Sequence, residues 1–417
     1  MKKIFVFSIY PFSKGSSNGR AIGSLFELLN DEYSITQIYF KSDILNMIKC
    51  NYLFVPEANM IKFKKMKMYK SLFAESLSDN RESSINSKIK KTPLLMLIRN
   101  ALWNLRLGAF SDLKQTIIKE NPDFIFVQDC EVPALFKYLL KISKSIKAKL
   151  IFYTSENYAF KNFNYMNLKN EKCTLLYKIF KNKLQKYQKK YVENSSECIF
   201  LTETLRDEYA MNYNIKNSHV LLPPITSDSE SYEITTNDIL NISYCGNLSN
   251  GRFDTLLYFY EQINKMTQNF ILTVCSRLTA EQKEIIKQKD KIKFLGYVPQ
   301  EKVLDVFRTS NLILHIESFE HMHVVDCKHA FSSKIGICLS MLKPFLYFGP
   351  SENAEAKFIL KNKCAFVVEN RNELFDFLNM YLDNRVNLNE LKINQIATLE
   401  NYFSKEKTYN TLKEIFR

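Results

Sequence analysis

The chain has 417 residues, is 46% hydrophobic and 24% charged, and sets 58 Lys and Arg against 44 Asp and Glu, a formal charge of +14. That length and apolar content exclude a disordered or fibrous chain and predict two or three folded domains of about 100–200 residues each. Nine cysteines, odd in number and never spaced C-x-x-C, exclude a disulfide framework or zinc ribbon; they read as free thiols of a reducing compartment, so a cytoplasmic protein is expected.

The N-terminus, MKKIFVFSIYPFSKG, has the basic and apolar start of a signal peptide, but its apolar run from Ile4 to Tyr10 is short and no small-residue cleavage site follows. It reads as a first strand. No stretch approaches the roughly 18 uncharged apolar residues of a membrane span, so any membrane contact is expected to be peripheral. Further β-branched and aromatic runs in the first half are 34–40, 123–128, 149–154 and 197–201, with helical spacing between them. This alternation predicts a parallel sheet covered by helices. Gly19 and Arg20 follow the first strand, where a glycine admits a ligand close to the backbone and a cation can face it; a tight turn with a solvated arginine is the other reading.

Residues 60–73, MIKFKKMKMYKSLF, interleave five lysines with Met, Phe and Tyr. They fit a solvated helix, a nucleic-acid stripe or a membrane-surface segment. The whole first half is basic: residues 1–225 hold 35 Lys and Arg against 20 Asp and Glu, whereas 226–417 hold 23 against 24. No nucleic-acid recognition motif accompanies the charge, so an anionic membrane surface is the expected partner and nucleic acid is not. In YTSENY (153–158), Glu156 and Asn157 follow a strand and read either as site residues or as helix caps. The apolar spacing of Ile179, Phe180, Leu184, Tyr187 and Tyr191 predicts a helix, its intervening lysines forming a solvated face.

Pro223 and Pro224 open a polar stretch without Lys or Arg that reaches 238 and reads as a linker. The predicted division is therefore a first domain over 1–223, a linker over 224–238, a second domain over 239–400 and a C-terminal helix over 401–417. The second half repeats the strand–helix alternation with runs at 241–246, 270–275, 291–296, 311–316, 344–349 and 364–368. Two doubly wound Rossmann-like α/β domains facing across a cleft are predicted, an arrangement suited to joining two substrates. His321, His323, Asp326, Cys327 and His329 crowd HMHVVDCKH, but their spacing matches no standard zinc site, and a polar loop is the expected reading. Finally, Ser332, Ser333 and Lys334 stand where an apolar helix begins. Unpartnered amides and the positive end of the helix dipole make such a position either a capped end or an anion site.

Three segments carry a resemblance to a known family. FSSKIGICLSMLKPFLYFGP (331–350), YCGNLSNGRFDTL (244–256) and KFLGYVPQEKVLDVFRTSNLILHIES (293–318) resemble the nucleotide-sugar-binding domain of GT-B glycosyltransferases of the family 4 type found in bacterial polysaccharide assembly. SIYPFSKGSSNGRAIGSLFELL near the start is similar to that family's N-terminal loop under the acceptor. The resemblance implies hexosyl transfer, with retention, from a nucleotide-diphosphate sugar to a surface glycan or lipid-linked acceptor. It requires no cofactor and no metal.

The donor set it implies is Gly246, Asn247, Arg252, Arg277, His329, Ser332, Ser333 and Lys334, with Gly19 and Arg20 on the acceptor side or donor loop. Lys334 and Arg252 would stabilise the departing diphosphate, and in an inverting enzyme Glu156 would take the acceptor proton. Four positions depart from the family pattern. Asn247 replaces a common Arg, Arg252 a Lys, His329 a sugar-side Glu and Ile337 the ribose-binding Glu. Glu317 and Glu320, beyond a strand end, are alternatives. A non-catalytic GT-B partner protein and a nucleotide-sugar epimerase remain as competing readings.

Overall fold

The computed structural model describes residues 1–41, 47–55, 67–69, 91–105, 109–167, 172–225 and 239–417. The chain divides into two compact units, one formed by Met1–Pro224 with Lys405–Arg417 and the other by Ile225–Ser404. Most of the basic stretch 60–73 and the linker residues 226–238 lie outside the described residues.

In the first unit the elements are β1 (Lys2–Ser8), α1 (Ser17–Glu27), β2 (Tyr33–Tyr39), β3 (Asn51–Phe54), β4 (Lys67–Tyr69), α2 (Pro93–Leu105), α3 (Ala109–Glu120), β5 (Phe124–Gln128), α4 (Pro133–Ile146), β6 (Lys149–Thr154), α5 (Leu175–Asn194), β7 (Glu197–Phe200), α6 (Glu203–Asn212) and β8 (Ser218–Val220). Their order across the sheet is β4-β3-β2-β1-β5-β6-β7-β8, and every pairing is parallel except that of the edge strand β4. Period-two alternation explains why the central strands read as unbroken apolar runs. Ile4 and Val6 of β1, with Phe124 and Phe126 of β5, enter one core, while Phe5, Phe7, Ile125 and Val127 enter the core on the opposite face.

The second unit runs β9 (Leu240–Cys245), α7 (Arg252–Met266), β10 (Phe270–Cys275), α8 (Ala280–Lys287), β11 (Ile292–Gly296), α9 (Gln300–Arg308), β12 (Leu312–Ile316), α10 (His321–Cys327), α11 (Lys334–Ser340), β13 (Phe345–Phe348), α12 (Ala354–Asn362), β14 (Phe366–Val368), α13 (Glu373–Leu382), α14 (Leu388–Thr398) and a π-helical turn, Leu399–Phe403. The sheet order is β11-β10-β9-β12-β13-β14, all parallel. The final helix α15 (Lys405–Ile415) belongs to the first unit, where Leu412, Ile415 and Phe416 complete the core around Phe26 and Phe124.

In each sheet the first strand is central; the next strands in the chain, β2–β4 in the first sheet and β10–β11 in the second, add on one side, and β5 or β12 then starts the other side. The chain therefore reverses its direction of travel between β1 and β5, and again between β9 and β12. Such a reversal opens a crevice beyond the strand C-termini, where ligands of this architecture bind.

Candidate functional site in the second unit

The connections leaving β9 and β12 meet at the second unit's reversal point. After β9 the chain turns through Gly246 and Asn247, whose carbonyl accepts the Tyr244 hydroxyl (3.0 Å) and whose side chain accepts the Ser249 amide (2.9 Å). Asn250 and Gly251 then adopt φ of 55° and 74°, placing Gly251 at the N-cap of α7 without a side chain to cap it. A Cβ at Gly251 would lie 2.3 Å from Ser318 Oγ, so the absence of a side chain lets this turn press against the chain leaving β12.

Arg252 follows directly. Its Nε donates to Glu317 Oε1 and its Nη2 contacts Glu317 Oε2, both at 2.9 Å, a two-pronged pair across the reversal point. Arg252 is largely buried and engaged by a carboxylate. Behind it, His315 Nε2 lies 2.9 Å from Glu355 Oε2 and 3.6 Å from Glu317 Oε1, its ring stacked on Tyr347. Burial works to lower the His315 pKa, but the two carboxylates hold it at about 9. Burial likewise favours a neutral Glu317, yet His315 and Arg252 keep its pKa below the ordinary value. One guanidinium and one imidazole therefore face two carboxylates.

Among the described residues His315, Glu317 and Glu355 alone bring three metal-competent atoms within 4.8 Å. Those atoms are already engaged with one another and with the Arg252 guanidinium. His321, His323, Asp326, Cys327 and His329 do not form such a group.

Lys334 lies beside this network. It is partly buried and electrostatically coupled to Arg252 and Glu355; burial lowers its pKa, with the Cys338 and Cys245 thiols acting the other way. Among the described residues no carboxylate forms an ion pair with it. Ser333 occupies the N-cap of α11 in αR conformation, and its side chain makes no capping bond. Ser332 is engaged instead: its amide donates to Glu355 Oε1, and its Oγ accepts the Lys334 amide at a long 3.4 Å. Glu355 thereby ties the Lys334 turn to the charge network.

Arg277, after β10, lies 4.3 Å from the ring centre of Tyr297, a mostly exposed side chain beyond β11. His329 is buried in the segment joining α10 to α11. Lys343 is a staple rather than a ligand residue, its ammonium donating to the carbonyls of Ser310 (2.9 Å) and Arg308. Gly19, Arg20 and Glu156 belong to the first unit. Gly19 lies in the first turn of α1, where the Ser16 Oγ accepts its amide, and the Glu156 amide donates to Thr154 Oγ1.

Sequence reasoning missed His315 and Glu355, since a histidine inside a strand and a glutamate in a helix's first turn are both ordinary placements. It also missed the first unit's own polar centre beyond β5. Asp129 is fully buried and accepts from Gln188 Nε2 (2.7 Å), Tyr209 OH (3.0 Å) and Thr154 Oγ1 (3.1 Å); burial outweighs these bonds and raises its pKa to about 7. Glu131 accepts from Tyr165 OH (2.9 Å) and pairs with Lys91.

Two parallel-sheet units with this strand order define the GT-B fold, and comparison with solved structures agrees. The chain is similar over its full length to a glycosyltransferase from Rickettsia africae ESF-5 (14% identity, TM-score 0.62, 97% of that chain covered). It is similar over 99% of both chains to HepE from Anabaena in complex with UDP (11% identity, TM-score 0.63). A Listeria monocytogenes protein assigned as a UDP-N-acetylglucosamine 2-epimerase matches with a TM-score of 0.53 at 11% identity, over all of this chain and 96% of that one. At such identities the likeness is one of fold. No protein-family model and no curated protein matches the chain.

Proposed function

We propose that the protein is a glycosyltransferase of the family 4 type, moving a hexosyl group with retention from a nucleotide-diphosphate sugar to a surface glycan or lipid-linked acceptor. The observation that carries this reading is Lys334, a desolvated cation that forms no ion pair with a carboxylate among the described residues, beside an arginine and a histidine that do. A diphosphate supplies the missing anion, and each charge-assisted hydrogen bond to it contributes about 1.5–3 kcal/mol. HepE, similar in fold, is a protein solved with UDP and with UDP-glucose.

In this reading Lys334 takes the diphosphate and stabilises the charge that develops as the sugar leaves. Arg252 is held by Glu317 and shapes the positive field there, Gly246 and Gly251 keep the turn low, and Ser332, Ser333, Asn247, His329 and Arg277 contribute to donor binding. The acceptor is bound by the first unit near Gly19 and Arg20, in the cytoplasm, against an anionic membrane surface to which the basic first half is drawn. Were the reaction inverting, Glu156 would take the acceptor proton.

The test is thermal stabilisation of the protein by UDP-, GDP- and CMP-sugars, with and without Lys334→Ala. One nucleotide class is expected to raise the midpoint of the wild type, and the variant to bind it about 10- to 150-fold more weakly. Equal stabilisation of both proteins would remove Lys334 from the site. Product analysis with an acceptor then separates transfer from epimerisation, which needs none.

A further inference from the structure

Two helices of the first unit turn apolar side chains outward. On α2 the solvent-facing positions hold Leu94 (52% exposed), Leu95 (41%) and Ile98 (47%), and α5 opens with Leu175 (73%), Leu176 (41%) and Ile179 (38%). A helix that only covers a sheet places polar residues there. Single exposed leucines are ordinary, but grouped ones mark an interaction surface. The groups are neighbours: α2 packs on α5, and Glu131 ties together the segments that lead into the two helices. Lys91, just ahead of α2, pairs with that carboxylate, Tyr165 donates to it, and the Tyr165 ring meets Tyr177 of α5 edge-on at 6.0 Å.

Charge selects the occupant. Beyond its leucines α5 exposes Lys178, Lys183 and Lys186; its sequence holds one acidic residue, Glu193, which pairs with Lys189, and α2 holds none. A second copy of the chain would set lysine against lysine. We propose that this two-helix face is the surface by which the protein docks on an anionic lipid bilayer, the leucines entering the headgroup boundary and the lysines meeting acidic headgroups. The inference rests on the membrane contact of the proposed function and is independent of the donor reading.

The experiment is flotation of the full chain with phosphatidylcholine vesicles, alone or mixed with phosphatidylglycerol. The wild type is expected to float with the mixed vesicles at low salt and to be released as salt rises. Leu94→Glu with Ile98→Glu, Leu175→Glu with Ile179→Glu, and the triple Lys178→Glu, Lys183→Glu, Lys186→Glu should each weaken partition by at least about tenfold, since one lysine near an acidic surface is worth about five-fold. Lys283→Glu with Lys287→Glu, in the second unit, should leave flotation unchanged. A cooperative urea transition with the wild-type midpoint reports that each variant is folded. Variants that float like the wild type would overturn this face while leaving membrane contact standing, and a wild type that stays below both vesicle types would overturn both. A wild-type dimer that Leu94→Glu with Ile98→Glu converts to a monomer would assign the face to a second copy instead.

Discussion

The tetrapeptide Ser-Asn-Gly-Arg occurs twice, at 17–20 and at 249–252, each time in the connection from a unit's first strand to its first helix. The same four residues take different shapes. In the first unit Ser16 stands ahead of them, accepts the Gly19 amide and starts α1 at Ser17, so that Gly19 and Arg20 are helical. In the second unit the buried Leu248 precedes them and offers no cap; Asn250 and Gly251 turn left-handed, and the helix waits for Arg252. That delay places the second arginine at the reversal point, where Glu317 receives it. Local chemistry one residue upstream thus separates two arginines that the motif alone would equate.

The polar groups beyond β5 and β12, the strands that start the second side of each sheet, differ to match. The first unit has Asp129 among neutral donors and Glu131 between a tyrosine and a lysine, whereas in the second Arg252 and His315 face Glu317 and Glu355, with Lys334 beside them.

The sharpest way to break this comparison is Arg252→Ala, which leaves Glu317 charged, buried and without its guanidinium. A loss of about 3–5 kcal/mol is expected in urea unfolding of the second unit. Adding Glu317→Ala should recover part of it; no recovery would mean that the arginine acts through packing. Next in size are two pH windows. His315 is raised to about 9 from an unfolded value near 6.5. Its contribution is therefore complete below about pH 6.5 and fades as pH rises through about 9. Asp129, raised to about 7 from near 3.9, contributes fully below about pH 4 and loses that contribution as pH rises through 7. Urea midpoints of Asp129→Asn and His315→Gln, followed across pH, should each flatten one window and leave the other; a single variant that flattened both would show the units to be coupled. Smallest is Ser16→Ala, expected to cost about 1 kcal/mol and to speed hydrogen exchange in the first turn of α1 alone.

The eleven apolar runs read from the sequence each form a strand; most are buried on both faces and leave long unbroken signals, whereas the edge strand β11 alternates exposed and half-buried positions. The three strands not foreseen, β3, β4 and β8, span only three or four residues each. Ile179 was expected on the buried side of α5, but the buried positions are Tyr177, Phe180, Leu184, Gln188, Tyr191 and Val192, a stripe that passes it by. Lys334 and Arg252 were legible as charges at helix starts. Their unlike circumstances were not, since the pairing of Arg252 depends on Glu317, 65 residues away. Leu342 at φ 50°, a position suited to glycine, shows how the end of α11 can hide behind an ordinary apolar residue.

The place of α15 bears on how the chain is made. A ribosome that has reached Pro224 has produced every strand of the first sheet, yet Phe416, which packs on Phe26, Tyr33 and Phe124, follows only after the entire second unit. Until then the nascent first unit carries an open apolar slot, the kind of surface that chaperones hold and that aggregates when left alone. The second unit, continuous in the chain, meets no such delay once Ser404 has emerged, so the unit begun first is the one finished last.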